Sequence, residues 1–152
     1  MFGRFRLDES WDSAHNLPLL DRMPAIFAPP RYKESLVPPH HTICHVFVGR
    51  GTPFETGAEV TLNRGFLDGT SNTLLFVEAG EPVPWSKPAD LPFAPDQPLP
   101  PLRGLFKDGF RACAADCNRV FVRYDASEAV LRAAITRNGQ EKFGVEDLRQ
   151  AH

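Results

Sequence analysis

The stretch FRACAADCNRVFVRYDASEAVLRAAITRNG, residues 110–139, decides the fold class. Its first half, Phe110 to Tyr124, places apolar residues on both sides of the polar tip Asp116-Cys117-Asn118, the pattern of a β-hairpin. Its second half carries Val130, Leu131, Ala134 and Ile135 on one helical face, with Glu128 and Arg132 spaced i, i+4 on the other. Asp125 as N-cap with Glu128 three residues on makes a variant capping box, and Asn138-Gly139 supplies a stop. A hairpin running straight into a capped helix predicts an α+β domain.

Upstream, TICHVFVG, Thr42 to Gly49, and TLLFVEA, Thr73 to Ala79, are rich in β-branched and aromatic residues and predict two strands. Their nearly continuous apolar runs suggest positions inside a small, mostly antiparallel sheet. The Asp68-Gly69 turn launches the second. Farther toward the N-terminus, Asp12 or Ser13 as N-cap and Leu17, Leu19, Leu20 and Met23 predict a short helix ending at Pro24. Pro29-Pro30 and Pro38-Pro39 bracket a loop. Downstream of the helix, VEDLRQAH predicts one frayed helical turn.

Eight prolines fall between Pro82 and Pro101. Each removes a backbone donor, so this segment reads as something other than a central strand. A solvated linker would lack Val83, Trp85, Leu91, Phe93, Leu99 and Leu102. The expectation is a stiff strap over residues 82–102 packed on the domain, with fixed φ angles lowering the entropy lost on ordering.

The 152 residues fit one domain, residues 1–152, and 42% hydrophobic content is enough for a core. Seventeen basic against nineteen acidic residues give a net charge of −2, which favours neither nucleic acid nor an anionic membrane. No apolar run reaches the roughly 18–20 residues of a membrane span, and no signal peptide follows Met1, so no membrane insertion is expected of the chain as written. Cys44, Cys113 and Cys117 are an odd number for a disulfide framework and read as ordinary buried thiols, with a Cys113–Cys117 pairing left open.

The segments FRLDESWDSAHN, VFVGRGTPFE, DGTSNTLLFVEA, VPWSKPADLPF, FRACAADCNRVFV and LRAAITRNG, taken together, resemble the bacterial family carrying domain of unknown function 1559. That family looks like type IV pilins and type II secretion pseudopilins: a prepilin leader and long apolar helix, then a mixed head. The resemblance implies a pilin-like head lacking the N-terminal helix, working through protein partners or self-assembly at the cell envelope or outside the cell. If the leader is missing in fact, the cytoplasm is the expected location. Where the family has Asp-Gly-Ser at the hairpin tip, this chain has Asp116-Cys117-Asn118; replacing a glycine at positive φ costs about 1 kcal/mol or more unless Asn118 takes the strained position.

No Gly-x-Ser-x-Gly elbow, Walker loop or His-Glu-x-x-His helix is present, so no catalytic residue, cofactor or enzyme activity is expected. His41 and His45 with Cys113 and Cys117 have zinc-like spacing, but an i, i+4 pair on one strand lies about 13 Å apart along the backbone, and no metal is expected. Ligand or partner contacts are expected from Trp11 with His15 and Asn16, or from Trp85 with Lys87, as a stacking surface that would suit a carbohydrate. The alternative is that each indole fills space and donates its N–H to a carbonyl. Glu78, at the end of an apolar strand, needs a partner if buried, with Lys87 and Arg103 as candidates.

Overall fold

The computed structural model describes residues 2–30, 35–141 and 145–149. The chain forms two compact units, residues 1–43 with 81–89 and residues 44–80 with 90–152. Six strands are described, β1 (His41–His45), β2 (Phe47–Val48), β3 (Leu74–Pro84), β4 (Leu91–Pro92), β5 (Gly109–Ala114) and β6 (Arg119–Arg123), together with helices α1 (Glu128–Ile135) and α2 (Val145–Arg149). The strands make a four-stranded sheet in the order β1-β3-β5-β6 and a small β2-β4 ladder. The β3-β5 and β5-β6 pairs are antiparallel and β2-β4 is parallel. This is the small α+β fold expected.

The hairpin is β5-β6, in register from Gly109 opposite Arg123 to Cys113 opposite Arg119. At its tip Asp116 carboxylate oxygens accept from the Asn118 backbone N–H at 3.0 Å and from its amide nitrogen at 2.6 Å. The positive φ, 68°, falls on Cys117 and not on Asn118. Asn118 is bound on both its nitrogens by Asp116 while its own carbonyl accepts the Ala114 N–H, so the tight turn is left to the preceding residue.

Alternation along the hairpin sends Phe110, Ala112, Val120 and Val122 into a core completed by Leu74, Val77, Leu91, Phe93, Leu131, Ile135, Val145 and Leu148. Helix α2 packs on β6 and on α1. The expected frayed turn is instead anchored at Val145 and Leu148, both in the core; Gln150–His152 lie outside the described residues. Helix α1 buries Leu131, Ala133, Ala134 and Ile135, with Val130 partly buried. Arg132 meets Glu128 at 2.8 Å as the spacing predicts. The capping box does not form. Ser127 occupies the N-cap without a side-chain bond, because Asp125 is held by the Arg123 guanidinium in two 2.9 Å contacts.

The apolar run 42–49 is two strands, not one. The Val46 carbonyl, between β1 and β2, accepts the Leu91 N–H at 2.9 Å, and Val48 accepts from Phe93 at 2.9 Å, so the second half pairs with a different partner from the first. β1 stands at the edge of the four-stranded order, whereas its apolar run suggested an interior place. Gly49 closes the parallel ladder, where a Cβ would stand 1.9 Å from the Phe93 carbonyl oxygen.

β3 runs past the expected Ala79 and through Pro82 and Pro84. The Trp85 N–H points to the His40 carbonyl at 3.0 Å, so strand alternation turns the nitrogens of Pro82 and Pro84 to the other edge. The pairs with β5 extend only over Leu74 to Val77, so no ladder bond is lost to the two prolines on that edge.

Near the N-terminus the expected helix is a 3-10 helix over Leu17–Arg22. Pro18 and Pro24 leave too short a window for an α-helix. Ser13 caps a turn rather than the helix, its Oγ accepting the Asn16 N–H at 3.1 Å. Of the proline-bracketed loop, residues 31–34 lie outside the described residues.

Candidate functional site

In the unit of residues 1–43 and 81–89, Trp85 is built into an aromatic cluster. Phe27 stacks on it with centroids 5.8 Å apart and Phe5 meets it edge-on at 5.6 Å. Its Nε1–H donates to the Leu20 carbonyl at 2.9 Å. The ring and its donor are thus used within the unit, as the space-filling alternative requires. Lys87 does not extend a Trp85 surface; its Nζ lies 5.8 Å from the ring centroid of Trp11.

Asn16 is 2% exposed, and its side chain is spent on the chain around it. Its Oδ1 accepts the Arg6 N–H at 3.0 Å, and its Nδ2 donates to the carbonyls of Arg6 and Ser10, each at 2.9 Å. It is a latch for the N-terminal turns, leaving nothing for a ligand. His15 is exposed, its Nε2 3.0 Å from the Arg4 carbonyl oxygen. The residues expected to act together therefore divide into a Trp11–Lys87 pair, a partly buried Trp85 held by its neighbours, a structural Asn16 and a peripheral His15.

Glu78 belongs to the other unit. The pairings Phe76 with Cys113, Arg111 with Phe121 and Cys113 with Arg119 put these side chains on the sheet face opposite Val77, Ala112 and Val120. Together with Glu78 they line a hollow of about 520 Å³. Continuing the register past Val77 and Ala112 places Glu78 across from Arg111. The Arg111 guanidinium lies over the Phe106 ring at 4.7 Å, and Phe106 meets Phe121 edge-on at 5.7 Å. Glu78 Oε2 is shut off from solvent and has no hydrogen-bond donor among the described residues, so neither expected partner, Lys87 or Arg103, supplies one.

The thiols near this face are quiet. Burial, reinforced by the charge of Glu78 and by Cys113, pushes the Cys44 thiol up from 9.0 to about 11. Burial also raises Cys113, with Cys117 and Asp116 adding to it. All three cysteines are free, so Cys113 and Cys117 do not pair. Cys113 is buried and Cys44 half-buried, but Cys117 is exposed at the hairpin tip, contrary to the expectation of three buried thiols. Among the described residues no three His, Cys, Asp or Glu side chains gather to hold a metal ion, and His41 Nδ1 is 2.8 Å from the Pro39 carbonyl oxygen.

A second polar cluster in this unit has no counterpart in the sequence patterns. Arg137 donates to the Thr52 and Gly65 carbonyls, each at 3.1 Å, and to Glu55 Oε2 at 2.8 Å. Its backbone N–H reaches Gly51, and its carbonyl accepts from Asp68. Asp68 in turn accepts the Gly139 and Gln140 N–H groups at 2.8 and 2.7 Å. The Gly51 N–H, and then Arg137, hold the Glu55 carboxyl below its ordinary range. With the Glu55 carboxylate paired to Arg137 and the Asp68 carboxylate bonded by two backbone N–H groups, this cluster is a staple between the 50–68 loops and the end of α1.

The chain matches no protein-family model, no curated protein and no solved structure.

Proposed function

We propose that the chain is a non-enzymatic pilin- or pseudopilin-like head that works through protein contacts at the cell surface or in a secretion apparatus. The observation carrying this reading is the apolar surface of the unit 1–43 with 81–89. Ile26 is 84% exposed and Leu7 72% exposed, and Leu17, Phe27 and Leu36 are exposed as well. Large apolar side chains left in water at this density are the usual material of protein–protein contacts. The same unit holds a hollow of about 690 Å³ lined largely by apolar residues, Met23, Pro29, Leu36, Val37 and Pro38 among them.

In this reading residues 82–102 are a proline-rich strap. Support comes from Leu91 and Phe93 as members of the core and from Leu99 and Leu102 packed against it. Prolines one to four residues apart let such an irregular segment hold its shape with few ladder bonds. The carbohydrate alternative draws less support, since the Trp85 ring and donor are already used by Phe5, Phe27 and Leu20.

The test is assembly in the native host. Wild-type protein should appear in the sheared surface or secretion-apparatus fraction on immunoblots, and Ile26→Asp with Leu7→Asp should remove it without loss of folded protein. Wild-type protein confined to the cytosolic fraction, or a double variant that fractionates like wild type, would refute the reading.

A further inference from the structure

Strand β6 has β5 on one side and no strand on the other among the described residues. The hairpin register fixes which of its backbone groups look outward. The Ala114 N–H donates to the Asn118 carbonyl at 2.9 Å, and the Tyr124 N–H to the Asp108 carbonyl at 3.0 Å. Bonded pairs alternate with unbonded ones in an antiparallel ladder, so Val120 and Val122 also bond toward β5, while Arg119, Phe121 and Arg123 turn their N–H and C=O groups away from it. The Arg123 carbonyl accepts the Ala126 N–H at 3.2 Å. The N–H and C=O of Arg119 and Phe121, and the Arg123 N–H, meet no backbone partner among the described residues. Such a row is spaced to receive one more strand.

Folds commonly spoil an open edge with a proline, a bulge or charge. β6 contains no proline, and its pairing with β5 runs from Gly109 opposite Arg123 to Cys113 opposite Arg119 without a shift. Charge alone is used, and it is of one sign: Arg119 and Arg123 flank Phe121 on the same sheet face. The two arginines differ in occupation. Arg123 is held by Asp125 in two 2.9 Å contacts, whereas Arg119 is exposed and makes no ion pair among the described residues. Phe121 meets Phe106 edge-on and is still 38% exposed.

These features select the occupant. A second β6 paired about Phe121 would set each copy's Arg119 opposite the other's Arg123, like charges across a strand pair. A wholly apolar strand would leave Arg119 unmatched. A strand with a carboxylate opposite Arg119, and an apolar side chain two residues on opposite Phe121, complements both.

We propose that the open edge of β6 is a docking site for an extended acidic segment of another protein, which adds antiparallel to the sheet with a carboxylate at Arg119 and an aliphatic side chain at Phe121. Backbone bonds hold the segment and the two side chains select it. The site lies in the unit of residues 44–80 and 90–152 and uses none of the residues behind the surface-contact reading, so Ile26→Asp should leave binding unchanged.

Nitrogen–proton correlation NMR of the full chain, titrated with the peptide acetyl-Thr-Glu-Thr-Val-Thr-Glu-Thr-amide, tests it. Saturable shifts should centre on the amides of Arg119, Phe121 and Arg123, whose exchange with solvent slows on binding, while Val120 and Val122, already bonded to β5, keep their exchange rates. The same peptide with Lys for Glu should bind about fivefold more weakly, the span between an attractive and a repulsive cross-strand pair. Arg119→Glu, at an exposed position, should reverse that preference. N-methylation of the valine, which removes the donor aimed at the Phe121 carbonyl, should abolish the shifts. Edge amides already slow to exchange in the free monomer, no saturation, equal binding of the Glu and Lys peptides, or full affinity of the N-methyl peptide would each overturn the proposal. So would a concentration-dependent dimer that protects the same amides, because a second copy would then be the occupant.

Discussion

Replacing Arg137 by Met keeps the length of the side-chain stem and removes all five guanidinium donors. Arg137 is 14% exposed at its side chain, so its partners gain little water in exchange. Three bonds go: those to the Thr52 carbonyl, the Gly65 carbonyl and Glu55 Oε2. At about 1 kcal/mol net for each, the loss is about 3 kcal/mol. For a chain of this size that corresponds to a melting temperature lower by roughly 6–12 °C. Arg137→Lys should recover only part of this, since one ammonium cannot reach three acceptors fixed in a fork. Differential scanning calorimetry at pH 7 measures both variants. A shift within about 2 °C of wild type for Arg137→Met, far below that range, would refute the staple as an energetic element.

Three further outcomes follow from the same geometry. Cys117→Gly should raise stability by up to about 1 kcal/mol, because it relieves a side chain held at positive φ; a destabilised variant would mean that the tip is not strained. In timed alkylation at pH 8 followed by peptide mass mapping, exposed Cys117 should react first, with Cys44 and Cys113 both later. A thiol shifted from 9.0 to about 11 is ionised roughly a hundredfold less, so early labelling of Cys44 would contradict its burial. Acid titration of the melting temperature should give a plateau near neutrality and a fall beginning as pH drops below about the ordinary glutamate value of 4.5. Glu55, Glu9 and Asp125 are all held below their ordinary values, so they stabilise the fold when ionised and lose that contribution on protonation. Glu55→Gln should flatten part of that fall, and an identical acid limb in the variant would show that Glu55 does not carry it.

The features readable from sequence are those whose determinants lie close together along the chain. Hairpin alternation fixes β5 and β6 because each side chain's face is set by its neighbour two residues away, and α1 follows from a buried stripe plus the Glu128–Arg132 pair. Where two local uses of one residue compete, sequence alone does not rank them. Asp125 has both an N-cap position and a neighbouring guanidinium, and the bidentate contact with Arg123 prevails. The turn strain is similar: it could fall on Cys117 or Asn118, and it falls on Cys117 while Asp116 binds both nitrogens of Asn118. The β2-β4 ladder has two residues on each strand, too few for any periodicity, and is specified by backbone bonds to Val46 and Val48 that leave no mark on side-chain pattern.

Glu78 shows why a site is harder to read than a fold. Its place at the end of an apolar strand is visible in the sequence, and the need for a partner follows from burial. Arg111, across the ladder from it, has its guanidinium over Phe106, a contact that no local spacing predicts. Phe106 is itself positioned edge-on against Phe121 of β6, so the surroundings of a side chain on β5 depend on ring packing from the next strand. Among the described residues the buried side-chain atoms without a hydrogen-bond partner are Glu78 Oε2 and Ser86 Oγ, whereas Arg137 and Asp68 are bonded to groups far along the chain, and neither outcome is written in a local pattern.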